Sequence, residues 1–447
     1  MTTPLCSVRL TIAATLTAGS LIAAPLAAQQ SLSRTEQRVL EAVAGRVDDQ
    51  IGYLQRVVDM PSSTLDLDGV RAVGAVFGRS LDSLGFETRW AVMPAEMRRA
   101  GHLIAEHRGR QGKTRLLLIG HLDTVVDPDG ATFTHGDSIA TGVGTTDMKA
   151  GDVVVLYALR ALAAAGALSD LNLTVVLTGD EEQAGSPLEL SRRDLIDAAR
   201  RSDLALGFEP GSRRDLVVAR RGVASWRVTA TGTEAHSAGI FREGTGYGAI
   251  YELSRILDQS RRELAGWKYL AFNAAVALGG TEVAYDSVVI RGSAASKLNV
   301  VPRMAVAHGD LRFISAQQHD SAKRRMADIV GRHLPGTGAS VVFEDRYPAM
   351  APTPGNGRVL AVYDTLSRAL GYGKVVALDP RHRGAGDISF VAPYVDGVDG
   401  LGSLGGGSHT PEEYVELSTL EMQTARAAIL IHRLGTRPAS DFARRTP

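Results

Sequence analysis

The sequence predicts an α/β protein with a mostly parallel-sheet catalytic domain and a smaller α+β unit inserted into it. Three observations predict this. Short continuous apolar runs, RLLLIG (Arg115 to Gly120), NLTVVL (Asn172 to Leu177) and, more weakly, LALGF (Leu204 to Phe208), suit strands covered on both faces. The first two flank GDVVVLYALRALAAAGAL, a helical stretch, as a parallel crossover requires. From about Leu216 the pattern changes to alternating strands with two helices among them, a unit of roughly ferredoxin-like composition.

Taken in order, the first residues carry Arg9, an apolar segment from Leu10 to about Ala24, and small residues at Ala27 and Ala28. This reads as a secretory signal peptide over residues 1–28, with a permanent N-terminal anchor as the alternative. Helical spacing of Val39, Val43, Val47, Ile51, Leu54 and Val58 predicts a helix over Thr35 to Val58, and a second spans Gly69 to Leu84, stopped by Gly85. After the apolar runs come ASWRVTATG, a helix from about Tyr247 to Leu264, DSVVIRG, AVAHGDLRFI, a helix near Gln317 to His333, and ASVVFED. The chain then returns to a helix, an apolar strand KVVAL, and a final helix from about Ser418 to Leu434.

Composition narrows the function. The 447 residues hold 49 Lys+Arg and 49 Asp+Glu, so no basic excess points to nucleic acid or an anionic membrane. Cys6 is the only cysteine and lies within the expected signal peptide. The mature chain therefore has no disulfide and no thiolate ligand, and a metal must be held by His, Asp and Glu.

In an open α/β sheet, ligands bind beyond the carboxyl ends of the strands. There the chain places His121 and Asp123 in GHLDTVV, Glu181 and Glu182 in TGDEEQAGSP, and Glu209 in GFEP, with Asp147 in the glycine-rich turn GVGTTDMKAG and His409 in LGGGSHTPEEY. Singly, each has an ordinary explanation as a cap, a surface pair or a loop residue. Together they converge on one sheet edge, which points to hydrolysis at a two-zinc site. If Asp147 bridges the ions while His121 with Glu209, and His409 with Glu182, complete the two halves, three carboxylates face four positive charges, and bound water acidifies to a pKa of about 7. Asp123 then orients His121 from behind, and Glu181 is left free to move the proton.

These same segments, with TEAHSAG, resemble in order the zinc-dependent aminoacylase and carboxypeptidase family that includes glutamate carboxypeptidase of the G type, acetylornithine deacetylase and succinyl-diaminopimelate desuccinylase. The resemblance covers essentially the whole mature chain. It implies a catalytic domain in two parts (29–217 and 329–447), an inserted lid and dimerisation domain (218–328), and a homodimer. It also implies zinc ligands His121, Asp147, Glu182, Glu209 and His409, with cobalt possible in place of zinc, and Glu181 as general base. From the lid, His236 matches the residue that reaches across the dimer to polarise the scissile carbonyl, and Asn299 and Arg312 match positions that bind the substrate carboxylate. Gly384 and Gly386, in RGAGDISF, occupy a substrate-binding segment that usually has Ser or Thr where Gly386 stands. By resemblance, Glu at 209 favours aminoacylase or carboxypeptidase chemistry on a small N-acyl amino acid or peptide; the expected signal peptide puts the protein in the periplasm or outside the cell. A di- or tripeptidase and a catalytically inactive binding relative are the alternatives. No G-x-S-x-G elbow supports a serine hydrolase, and GVGTTD stops short of a dinucleotide fingerprint.

Overall fold

The helix expected over Thr35 to Val58 is two helices, α1 (Arg34–Ala44) and α2 (Val47–Val58), in a computed structural model that describes residues 32–125 and 133–442. Gly45 caps α1 and Arg46 leaves helical geometry, so the apolar spacing continues across a break. Ser33 starts α1 with a reciprocal capping box to Glu36. Helix α3 (Leu67–Asp82) starts on the Asp66 cap and ends before Gly85, whose positive φ turns the chain into the sheet. The expected signal peptide lies outside the described residues, and no described helix is long and apolar enough to cross a membrane.

Six strands form the main sheet: β1 (Glu87–Ala91), β2 (His102–His107), β3 (Arg115–His121), β4 (Asn172–Thr178), β5 (Leu204–Gly207) and a last strand, Asp396–Val398, reached after the inserted unit. Their order is β1, β2, β4, β3, β5 and the last strand. β3 pairs parallel with β4 and β5, and the last strand pairs parallel with β5; only β2 runs against its neighbours. Successive residues of β3 face opposite layers. Leu116 and Leu118 pack with α1 to α3, with α4 (Lys149–Ala164) and with the C-terminal helix Leu417–Gly435, whereas Leu117 and Ile119 pack with Leu195, Ala198 and Ile388. This two-sided burial is why the run is apolar throughout.

The inserted unit contains β6 (Gly222–Gly232), α5 (Ala249–Leu264), β7 (Ala271–Gly280), the hairpin β8 (Glu282–Asp286) and β9 (Arg291–Ala295), β10 (Met304–Phe313), α6 (Ala316–Val330) and β11 (Thr337–Tyr347). Its antiparallel sheet runs β7, β10, β6, β11. One face buries Trp226, Val228, Leu311 and Phe313 against Leu253, Ile256, Met326 and Ile329 of the two helices. The expected end at 328 falls inside α6 and is corrected to 347. After Pro335 and Gly336 the chain returns to the unit, pairing Thr337 with Gly232 and Tyr347 with Val223.

A second correction concerns KVVAL. Only Val376–Ala377 is extended there; both residues are exposed and pair with Asp215–Leu216 outside the main sheet. The place in the sheet goes instead to Asp396–Val398, three buried residues with no apolar run to announce them.

Candidate metal centre

His121 closes β3 with its side chain buried. Its Nδ1–H donates to the main-chain oxygen of Asp123 at 2.9 Å, which leaves Nε2 facing Asp147 Oδ1 at 3.3 Å and Glu209 Oε1 at 3.9 Å. Asp147 stands in the turn before α4, where its peptide bond to Met148 is cis. His409 approaches from the C-terminal loop with φ 66°, its Nε2 3.3 Å from both Asp147 Oδ2 and Glu182 Oε2. Three groups have their ligand atoms within 4.8 Å of one another: His121–Asp147–Glu209, Asp147–Glu182–His409 and His121–Glu181–Glu182. Asp147 belongs to the first two.

Asp123 does more than was expected of it. Its Oδ1 accepts the Glu181 N–H at 3.0 Å, and its Oδ2 accepts the Glu182 N–H at 3.2 Å and the Thr64 hydroxyl at 2.6 Å. One carboxylate therefore fixes the turn carrying both glutamates, while the main-chain oxygen of the same residue orients His121.

Other residues that build the site were not expected from the sequence. The buried Glu413 carboxylate accepts N–H bonds from Gly144, Thr146 and Asp147, each at 2.7 Å, and so shapes the turn that presents Asp147. Arg220 is buried with Nε 2.9 Å from Asp399 Oδ2 and Nη2 4.0 Å from Glu209 Oε2. Beneath Glu181, Arg192 is fully buried, with Nη1 2.6 Å from Asp180 Oδ1 and Nε 2.8 Å from Asp387 Oδ1. The Tyr347 hydroxyl donates to the Glu181 main-chain oxygen at 2.9 Å. Glu413 had a local hint, four residues after His409 in SHTPEEY. The two arginines had none.

The electrostatics fit a cation. Burial pushes Glu182 up to about 8 and Glu209 up to about 7, and burial with the charge of Glu209 drives Glu181 well above its ordinary value. The hydrogen bond to Asp147 lifts His409 to about 9. Burial alone would raise Asp147, yet the hydrogen bonds from His121 and His409 hold it below the usual carboxylate range. Glu182 Oε1 is buried with no hydrogen-bond partner among the described residues. A crowd of carboxylates with an orphaned oxygen and two imidazole nitrogens is a donor set for divalent metal, and the absence of thiolate suits zinc, cobalt or manganese.

Two expected outcomes follow. Metal binding at pH 7 releases protons, because His409, Glu182 and Glu209 must shed those they hold in the metal-free chain. Apparent affinity then rises with pH as these groups, and His121, which is itself raised well above its ordinary value, give up their protons. Calorimetry in buffers of differing ionisation enthalpy reads both effects, and affinity independent of pH would contradict this ligand set. Separately, Glu413→Gln sets an amide N–H₂ among three backbone donors and loosens the Asp147 turn. Metal affinity, read by chelator competition, should fall by about 10- to 100-fold.

The remaining expected site residues divide into two groups. Gly384 lines the cleft beside Asp147, Glu181, Glu182, Glu209 and His409; buried Gly386 does not, since Arg220 Nη1 lies 2.2 Å from where its Cβ would be. His236, Asn299 and Arg312 do not line it either. His236 and Asn299 are exposed and adjacent, joined by the Ser237 N–H to Asn299 oxygen bond at 2.9 Å. Arg312 lies on the outer face of the inserted sheet, paired with Asp310 at 2.8 Å.

Residues 117–433 match the Peptidase family M20/M25/M40. Carboxypeptidase G2 of Pseudomonas sp. (strain RS-16) is 27% identical over 435 residues, covering 93% of this chain and 97% of that one. Among solved structures, aminopeptidase PepT from Bacillus cereus ATCC 10987 superposes with a TM-score of 0.67 at 17% identity, covering 87% of this chain and 98% of that one. The Bacillus subtilis YXEP protein, described as a dinuclear metal binding peptidase, superposes with a TM-score of 0.60 at 14% identity, covering 88% and 100%.

Proposed function

The chain belongs to peptidase family M20/M25/M40, and from that premise we propose that it is an exported two-zinc hydrolase that cleaves the amide before a C-terminal amino acid. Its substrates are then small N-acyl amino acids or peptides. The observation that carries the reading is the sharing of Asp147 between two ligand clusters, with Glu181 beside them and outside both. His121, Asp147, Glu182, Glu209 and His409 would hold the metal pair, which when bound would supply Lewis acidity and lower the pKa of water to about 7.

The chain's own residues supply the rest. Glu181, fixed through its N–H by Asp123 and through its carbonyl by Tyr347, takes the proton from the attacking water and returns it to the leaving nitrogen. Because His236, Asn299 and Arg312 lie outside the cleft, a homodimer is proposed in which the partner's inserted unit brings the carbonyl-polarising and carboxylate-binding groups to the site. The apolar segment Leu10 to Ala24 supports export to the periplasm or beyond the cell.

The test is release of amino acid from a panel of N-acyl amino acids and dipeptides, with zinc or cobalt present and after chelation. Release that requires metal and follows the C-terminal residue is expected; release that persists in chelator would overturn the reading.

A further inference from the structure

The inserted unit carries a pocket of its own, on the face of its sheet turned away from α5 and α6. It encloses about 190 Å³ between the sheet and the β8–β9 hairpin, which folds back over β10. The hairpin is fastened there: the Tyr285 hydroxyl lies 2.5 Å from His308 Nδ1 of β10, and the two rings pack edge to face.

Two backbone irregularities shape the pocket. Ala274 pairs with Gly309 and Val276 with His308, so Ala275 is an extra residue in β7, and this bulge sets it in the pocket wall. Ile290, at the end of the hairpin turn, lines the pocket with φ 53°, a left-handed conformation that β-branched residues rarely adopt. The Asp286 carboxylate tightens the turn before it, accepting the N–H groups of Val288 at 2.8 Å and Val289 at 3.3 Å.

Most polar groups in the wall already have partners. His308 is bonded to Tyr285, Ser225 Oγ donates to Glu344 Oε2 at 3.4 Å, and Asp310 Oδ2 accepts from Arg312 Nε at 2.8 Å. What they leave for a ligand is the apolar surface of Val223, Ala275 and Ile290. The volume is below the roughly 300–1,000 Å³ that receives a whole small molecule, so it suits one side chain. Arg312 pairs with Val223 across the sheet and stands in the same wall. A C-terminal carboxylate on that guanidinium leaves the side chain of the same residue within reach of the pocket. Arg346, exposed at the bulge of β11, also borders it, which makes an acidic side chain the competing occupant.

We propose that this pocket takes a large apolar side chain of the released residue, so that the hairpin and the Ala275 bulge set specificity. This rests on the hydrolase reading and on the carboxylate expected at Arg312. It narrows the substrates to N-acyl or peptidyl derivatives of residues such as leucine.

The first test needs no turnover. 4-Methylpentanoate and propionate are leucine and alanine without their amines; they share the carboxylate and differ only in the chain. Calorimetric titration into the metal-loaded protein should show 4-methylpentanoate bound at least about tenfold more tightly. Ala275→Leu fills the pocket, and Ile290→Asn makes its wall polar with a residue that accepts left-handed backbone; in each the ratio should fall to about one. Ile290→Asn decides alone if Ala275→Leu fails to fold. A ratio near one in the wild type, or a ratio that the substitutions leave unchanged, would overturn the assignment.

Hydrolysis then identifies the occupant. N-acetyl-leucine should exceed both N-acetyl-alanine and N-acetyl-glutamate by at least about tenfold in kcat/KM, and Ala275→Leu should erase that preference. A wild type that prefers glutamate gives the pocket to an acidic side chain and overturns the proposal. So does a variant that keeps the preference for leucine but no longer distinguishes N-hexanoyl-alanine from N-acetyl-alanine, since the pocket then holds the acyl chain. If the wild type hydrolyses none of these, the hydrolase reading falls while the binding ratio still decides what the pocket takes.

Discussion

Glu181→Ala should lower kcat by about 10³-fold while leaving metal content unchanged. Glu181 is close enough to His121 and Glu182 to form a third ligand cluster with them, so its role as a base competes with a role as a ligand. The two differ in one observable. A ligand's loss removes metal along with activity, whereas a base's loss removes activity alone. Glu181→Gln keeps the size and hydrogen-bonding reach of the side chain and should be equally inactive, because an amide cannot accept the proton. Metal analysis beside single-turnover kinetics separates the cases, and a variant with normal turnover, or one stripped of metal, would contradict the assignment.

The second large effect is on stability. Arg192→Leu should cost about 3–5 kcal/mol, because it leaves the buried carboxylates of Asp180 and Asp387 without their cation. Burial would raise Asp180, but Arg192 holds it below the ordinary carboxylate range. A depressed carboxylate stabilises the fold above its unfolded pKa of about 3.9 and loses that contribution as pH falls through the folded value. The penalty in Arg192→Leu is therefore largest near neutrality and shrinks in acid, where Asp180 takes up a proton. Denaturant unfolding at neutral and acidic pH measures the difference. Adding Asp180→Asn and Asp387→Asn to Arg192→Leu should recover part of the loss, since no charge is then stranded.

What the sequence made legible was whatever has a local signature. His121, Glu181, Glu182 and Glu209 each follow an apolar run, because a strand buried on both faces must be apolar and its carboxyl end must be where ligands gather. Asp147 and His409 stand in glycine-rich turns with the same visibility. Glu413 contacts a turn 269 residues earlier in the chain, so its place beside His409 hinted at the site but not at its burial, and nothing near Arg192 marks it, since its partner Asp387 lies far along the chain. A buried Arg and a surface Arg look alike until the fold is known. Strand Asp396–Val398 escaped for a related reason: at three residues, with a glycine in the middle, it shows no periodicity. The expected end of the inserted unit at 328 cut off ASVVFED, which the alternation had already placed with the unit; β11 belongs there by its pairing with β6, more than 100 residues away in sequence.

The arrangement also explains why the two halves of the site arrive on different elements. The sheet edge fixes His121 and Glu209, the Asp123 carboxylate fixes Glu181 and Glu182, and Glu413 fixes Asp147, so three separate supports hold these residues. His409 is the exception. It sits on a loop, half of its side chain is exposed, and its hold on the site comes through Asp147 and Glu182 themselves.

The most direct measurement is the metal-to-protein ratio at saturation, by elemental mass spectrometry, for the wild type and for Asp147→Asn. The shared position of Asp147 predicts two ions per chain in the wild type and fewer than one in the variant, since one substitution damages both clusters. A wild type that saturates at one ion, or a variant that still holds two, would contradict a bridged metal pair.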